Sequence, residues 1–279
     1  MTIFERLQDL TQCPILMGVL NATPDSFSDG GRYTEVAVAV ERVRRMIQEG
    51  ASIIDIGGES SQPGASPISD AEQIERVMPL LRTLQGTCQG DVMLSIDTRS
   101  PMVARAALSA GVSLVNDISA GDSPGMYEVV AEHDAGMVLM HMQGTPVTMQ
   151  LAPQYDDVVT EVLDTLGKHA AAAAARGVAR ERILLDPGIG FGKTKAHNLA
   201  LLAALPRFVA LPYPILLGTS RKRFMGSICR ETVFTDLVGA TCATTALGVQ
   251  AGVRVFRVHD VKANRQALEV AWAIQHSAT

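Results

Sequence analysis

Eight short apolar runs, rich in Ile, Val, Leu and Met, recur along the 279 residues at 14–20, 51–56, 92–96, 112–115, 136–140, 183–185, 214–217 and 253–258. Each is too short for a helix and apolar throughout rather than alternating, the pattern of a strand covered on both faces. Helical patterns fill most of the intervals. One spans 35–49 and is closed by Gly50, one spans 70–84 behind the capping signal Ser69-x-x-Glu72, and one is opened by Ser100-Pro101 and stopped at Gly111. Four more fit 156–176, 196–205, 236–250 and 260–275. Eight strand-then-helix units over roughly 250 residues predict an α/β protein built as one closed (β/α)8 TIM barrel, a single domain over 1–279. A doubly wound open sheet is the rival, but it would gather functional side chains at one switch point, whereas here they follow nearly every strand.

A chain that is 47% hydrophobic and 19% charged can bury a large core. The first residues mix Glu5, Arg6 and Asp9 with Leu and Phe, and nowhere do 18 apolar residues run together, so neither a signal peptide nor a membrane span is expected and the cytoplasm is the expected location. The net charge of −5, without basic runs or interleaved aromatics, argues against nucleic acid or an anionic membrane as partner. An anionic ligand must then be held by local positive charge. Cys13, Cys88, Cys229 and Cys242 lie far apart without a C-x-x-C, and read as small core residues rather than a disulfide frame or zinc site.

The residues just past the strands stop looking like filler. They run Asn21 to Gly31, Asp55 to Gly64, Asp97-Thr98-Arg99, Asn116-Asp117, His141 to Pro146, Asp186, Thr219 to Arg223 and Arg257 to Asp260. Taken singly, Asp29, Ser61, Asp117 and Asp260 read as turn or helix caps. Eight polar strand ends on one rim exceed what capping requires. After the sixth strand, Asp186-Pro-Gly-Ile-Gly-Phe-Gly-Lys193 places a carboxylate beside backbone freed by glycine. Two phosphate motifs nearly match there and fail: the spacing is GxGxG rather than GxGxxG, and Gly188 to Gly192 is one residue short of a P-loop.

Taken together, NATPDSFSDGG, DIGGESSQPG, SIDT, NDIS, MHMQGTP, DPGIGFGK, SRK and RVHDV resemble, in order and across nearly the whole chain, the dihydropteroate synthase family of folate biosynthesis. The resemblance implies a cytoplasmic barrel transferase, usually a homodimer and a target of sulfonamides. Its substrates would be 6-hydroxymethyl-7,8-dihydropterin diphosphate and 4-aminobenzoate, joined with help from Mg2+. It assigns Asp97, Asn116, Asp186 and Lys222 to the pterin, with Asp97 and Lys222 nearest the chemistry. Asn21, Ser61, Arg257 and His259 fall to the diphosphate, Asn21 also to the metal, and Phe27, Gln62, Pro63, Phe191 and Arg223 to the aminobenzoate. The chemistry of the side chains agrees. Carboxylates can accept pairwise from the adjacent N–H donors of an aminopyrimidinone, an amide can donate and accept, and a lysine can serve ring acceptors. A departing diphosphate needs cations and amide donors, and a neutral amide oxygen suits a hard cation.

Two positions depart from the family pattern: Gln62 stands where an Arg is usual, and Arg223 where Ser often follows S-R-K. The expectation is that Arg223 supplies, from across the pocket, the guanidinium missing at 62. Other classes of function remain open at this point. A pterin-binding methyltransferase domain would share the three grips but not the diphosphate site, a catalytically silent barrel would bind neither ligand, and a Schiff-base aldolase would use Lys222.

Overall fold

The protein was analysed as a computed structural model that describes residues 1–22, 32–60, 64–85 and 92–277. After a short helix α1 (Ile3–Gln8), eight strands alternate with helices: β1 (Ile15–Asn21), α2 (Arg32–Gln48), β2 (Ala51–Gly57), α3 (Asp70–Leu84), β3 (Met93–Asp97), α4 (Pro101–Ser109), β4 (Leu114–Asp117) and α5 (Met126–Glu132). The second half continues with β5 (Gly136–Met140), α6 (Val158–Ala175), β6 (Ile183–Asp186), α7 (Lys195–Ala203), α8 (Leu205–Val209), β7 (Leu216–Leu217), α9 (Arg223–Cys229), α10 (Val238–Ala251), β8 (Val255–Val258) and α11 (Val261–Gln275). The sheet order is β6-β5-β4-β3-β2-β1-β8-β7, every pairing is parallel, and a bridge between Leu185 and Ile215 joins β6 to β7. The eight-stranded sheet therefore closes on itself, as the barrel expectation required.

Why the strands are apolar throughout is visible in how their side chains divide. Outward residues such as Leu16, Ile54, Ile56, Ile96, Val115, Leu139, Leu185 and Phe256 pack with the helices into one large core. Inward residues Ile15, Met17, Ile53, Leu114, Val138, Leu184, Leu216 and Val255 form a separate, smaller core inside the barrel. The period of two is thus present but hidden, because both faces are dry.

The inner core is stoppered from below by α1. Leu7 belongs to it, Ile3 and Phe4 pack against it, and the Phe4 ring occupies the space that a side chain at Gly136 would need. Arg254, 4% exposed, fixes this plug by donating to the carbonyls of Leu7, Gln12, Arg6 and Asp9 at 2.8–3.2 Å, which supplies donors to the end of a helix whose last carbonyls lack them.

Several elements differ from the sequence expectation. Helix 196–205 breaks at Ala204 into α7 and α8, where Pro206 opens a new helix. Helices α1 and α5 differ from the sequence pattern; they hold six and seven residues, too few to show a period, and α5 begins at Gly125 in the left-handed region with no side-chain cap. Ser69 and Ser100 cap α3 and α4 as expected. The cysteine expectation holds in part: Cys13, Cys229 and Cys242 are free thiols and half-buried Cys13 packs against the large core, but Cys242 is half-buried outside it and Cys229, at the end of α9, is exposed, while Cys88 lies outside the described residues. Among the described residues no helix is long and apolar enough to cross a membrane.

Replacing Arg254 by Met removes a donor from four carbonyls, of which Asp9 O keeps the Gln12 N–H. The expected loss is about 2–4 kcal/mol in urea unfolding, with ligand affinity at the opposite end of the barrel unchanged.

Candidate active site

One step above the apolar inner floor, the inward side chains turn polar. Asp55 on β2 has no exposed surface and accepts from Ser95 Oγ at 2.6 Å, Asn116 Nδ2 at 2.9 Å and Arg257 Nε at 2.7 Å. Arg257 also donates through Nη2 to Asp97 Oδ2 at 2.8 Å. Asp97 and Asn116 are direct register partners across β3 and β4. Since Asn116 gives Nδ2 to Asp55, its amide orientation is set and Oδ1 is turned away from that carboxylate.

Asp186 ends β6 with Oδ1 accepting from Gly188 N–H at 2.7 Å. Between it and Arg257 stands Gly218, where a Cβ would lie 3.7 Å from Asp186 Oδ2 and 3.9 Å from Arg257 Cβ, so glycine leaves the gap open. Lys222 enters from the turn after β7 with Nζ 4.0 Å from the centre of the Phe191 ring. Asp97, Asn116, Asp186, Lys222 and Arg257, chosen from five separate stretches of sequence, are thus gathered at one barrel mouth.

Burial governs the protonation of this group. It raises the Asp97 carboxyl well above the usual range, with the Asp55 charge reinforcing the shift and Arg257 opposing it. It raises Asp186 against the pull of Gly188 N–H, Lys222 and Lys193. Lys222 is pushed down by burial and by Arg257, and drawn back up by Asp186 and Asp97.

A second group lies where β7 and β8 end. Ser220 Oγ accepts from the backbone N–H of His259 at 3.2 Å and lies 3.0 Å from His259 Nδ1. Burial, then Arg257 and Arg221, push His259 down to about 3, so at neutral pH the ring is uncharged. Held by Ser220 through Nδ1, the ring can offer hydrogen bonds but not a charge. Asp260, expected to cap α11, makes no cap bond; it takes Arg221 in a two-pronged pair at 3.2 and 2.8 Å, because a nearby guanidinium outcompetes a backbone amide for a carboxylate. Asp117 keeps its expected turn role, accepting from Ser119 and Gly121 N–H.

The remaining candidates are placed as follows. Asn21 is exposed at the end of β1, in register with Gly57. Phe191 is 8% exposed beneath Lys222. Arg223 is exposed at the start of α9, with its guanidinium 5.7 Å from the centre of the Phe234 ring. Phe27, Ser61, Gln62 and Pro63 lie outside the described residues, and with them the Gln62 half of the suggested exchange.

Among the described residues no cluster of three His, Cys, Asp or Glu side chains could hold a metal ion. Asn21 offers one neutral oxygen, which fits an ion that arrives already bound to ligand oxygens rather than one held by a protein cage.

Sequence reasoning missed four members of this neighbourhood: Asp55, Ser95, Ser220 and Lys193. Lys193 is 2% exposed, and burial pushes it down to about 7. The signal for Asp55 and Ser95 was the step of two residues from Gly57 and Asp97, which puts them on the same inward face.

Asp55→Asn offers three donors a poorer set of acceptors and frees both Arg257 and Asn116. Calorimetry should show 6-hydroxymethylpterin binding weakened roughly tenfold or more in a folded protein. Wild-type affinity should also fall on acidification, as Asp97 takes up a proton and ceases to be a carboxylate, starting well above the ordinary aspartate value of about 3.9. In Asp55→Asn a negative neighbour is gone, the Asp97 pKa drops, and that acid limb should move to lower pH.

The comparisons agree with the geometry. The sequence model of the pterin-binding enzymes matches residues 17–259. The dihydropteroate synthase of Escherichia coli is 42% identical over 93% of this chain and 91% of its own length. The mitochondrial folate synthesis bifunctional protein of Arabidopsis thaliana is 42% identical over 98% of this chain, which spans 51% of that longer protein. The structure of Xanthomonas albilineans dihydropteroate synthase with 4-aminobenzoic acid superposes with a TM-score of 0.88 at 44% identity, covering 95% of this chain and 94% of that one. The chain belongs to the dihydropteroate synthase family of pterin-binding enzymes.

Proposed function

We propose that this protein condenses 6-hydroxymethyl-7,8-dihydropterin diphosphate with 4-aminobenzoate to give 7,8-dihydropteroate and diphosphate. The observation that carries this is the ring of buried Asp97, Asn116 and Asp186 with half-buried Lys222, organised from below by Asp55 and Arg257. It offers paired acceptors, an oriented amide and a cation to the edge of an aminopyrimidinone. A methyltransferase domain would use such grips too. The cluster of Arg257, a neutral His259 and exposed Asn21 at the same mouth favours the synthase, because those donors suit a phosphate ester.

In the reaction the C–O bond to diphosphate breaks with its electron pair leaving on oxygen, and the methylene cation is delocalised into the electron-rich pterin. The arylamine nitrogen then forms the new C–N bond and loses a proton to solvent. An arylamine is already neutral at pH 7, so the residues need not supply a strong base. Their work is holding the pterin, receiving the developing negative charge and excluding water. Arg257 meets that charge with the part of its guanidinium not committed to Asp55 and Asp97, and His259 meets it with Nε2–H. A magnesium ion would enter with the diphosphate, Asn21 adding one ligand, and would neutralise charge on the leaving group. Phe191 and Arg223 are assigned to the aminobenzoate side with Phe27, Gln62 and Pro63, and Ser61 to the diphosphate side.

The assembly we favour is a homodimer through α10. That helix contains no charged residue, and Gly239, Ala243 and Leu247, four apart, form an exposed stripe with Leu247 63% exposed. A cytoplasmic location accompanies this proposal.

Incubation with the pterin diphosphate, Mg2+ and labelled 4-aminobenzoate should yield labelled dihydropteroate; no product would sink the proposal. His259→Ala should weaken the diphosphate substrate at least tenfold more than free hydroxymethylpterin, whereas Arg257→Ala, which also strips Asp55 and Asp97 of a partner, should weaken both. Equal losses for the two ligands in His259→Ala would place the anion elsewhere. Arg223→Ser should raise the KM for aminobenzoate and spare the pterin substrate, with Gln62→Arg restoring it. An unchanged aminobenzoate KM would remove Arg223 from the site.

A further inference from the structure

Lys193 has no part in the chemistry above, yet it is an ammonium buried to 2% exposure. Desolvating such a group costs several kcal/mol unless its donors are met, so its position calls for a reason. Its three protons go to His141 Nδ1 at 2.9 Å, His141 O at 3.2 Å and Phe191 O at 3.0 Å, none of them an anion. His141 is itself buried and, by burial and by Lys193, pushed down to about 3, so Nδ1 is free to accept.

The same His141 grips the other end of the stretch, its backbone N–H donating to Asp186 O at 3.0 Å. Segment 186–193 is therefore a loop fastened at both ends to one residue of the strand-five terminus. Close approach is built in: Gly188 has φ +67°, and a Cβ there would collide with the His141 carbonyl. Elsewhere in the loop, Gly190 N–H donates to Asn198 Oδ1, Gln150 Nε2 donates to Gly190 O, and the Tyr155 hydroxyl donates to Gly192 O. The bond to the Phe191 carbonyl comes from Lys193. Phe191 in turn presents its ring face to Lys222 Nζ at 4.0 Å, a cation–π contact inside the site.

We infer that Lys193 is a positioning residue: by closing the 186–193 loop onto His141, its ammonium fixes the Phe191 ring against Lys222 and so sets the wall on which the second substrate rests. The choice of second substrate rests on the proposed synthase activity; the placement of Phe191 does not.

The test combines one spectroscopic and one kinetic readout. The chain has five lysines, so lysine-selective isotope labelling gives a spectrum in which the Lys222 ε-methylene is assignable. In the wild type, without ligand, the Phe191 ring current should displace it upfield of Lys168, Lys195 and Lys262. In Lys193→Met this displacement should be lost, and the KM for 4-aminobenzoate should rise roughly tenfold while that for the pterin diphosphate changes less than about twofold. An unmoved Lys222 resonance in the folded variant overturns the inference, and so does a moved resonance with an unchanged aminobenzoate KM. Should Lys193→Met not fold, His141→Leu, which removes one acceptor and keeps both carbonyls, must shift the Lys222 resonance in the same direction, and no shift overturns the inference. A wild type that forms no dihydropteroate sinks the proposed activity instead, and the Lys222 resonance still decides the role of Lys193.

Discussion

The site depends on one carboxylate with no access to water. Asp55 points into the barrel and collects donors from three other strands, Ser95 on β3, Asn116 on β4 and Arg257 on β8. A bare charge there would be prohibitively costly, so those donors are required by the carboxylate as much as they are arranged by it. Arg257 then passes the constraint on to Asp97, whose own pKa is set between burial, the Asp55 charge and that guanidinium. Position and protonation of the ligand-facing groups therefore share one origin. Coupling of this kind makes single substitutions propagate, because a buried network half satisfied is worse than none.

Barrel closure supplies the layers on which that network is built. A parallel strand points alternate residues inward, so Ile53 and Asp55, Leu114 and Asn116, Leu184 and Asp186, and Val255 and Arg257 are successive inward steps on four strands. The lower step is apolar and is stoppered by Leu7 of α1; the upper step is polar and open to ligand. Chemistry sits at the C-terminal ends of the strands because only there does the inward face lack a further layer above it.

Much of this was legible in the sequence, for a physical reason. Strands wrapped by helices are apolar on both faces, so each polar strand terminus stands out against its run, and Asp97, Asn116, Asp186 and Arg257 were found that way. Asp55 was quoted but given no role, since nothing in an isolated run says which parity faces inward; the register Gly57 with Asp97 and Asp55 with Ser95 is a property of two strands, not one. Lys193 was hidden by its setting in a broken phosphate motif, where a lysine after glycines suggests an anion and instead meets a ring nitrogen and two carbonyls. Asp260 failed as a cap because its partner, Arg221, lies 39 residues away in sequence. Helices α1 and α5 are too short for periodicity to speak.

The charge at the end of β8 shows how an acidic protein can still receive an anion. Arg257 is largely committed to Asp55 and Asp97, and Arg221 to Asp260, so the two guanidinia nearest His259 are not free cations in the resting protein. Their fields nevertheless act on His259 and, with burial, keep it neutral. An anion arriving beside these groups reverses the sign of that pressure: it offsets Arg257 and Arg221 at the imidazole and raises its proton affinity. Ser220, bonded to both the backbone and Nδ1 of His259, fixes the ring against the end of β7. The resting site thus keeps the imidazole uncharged beside two guanidinia that are already paired.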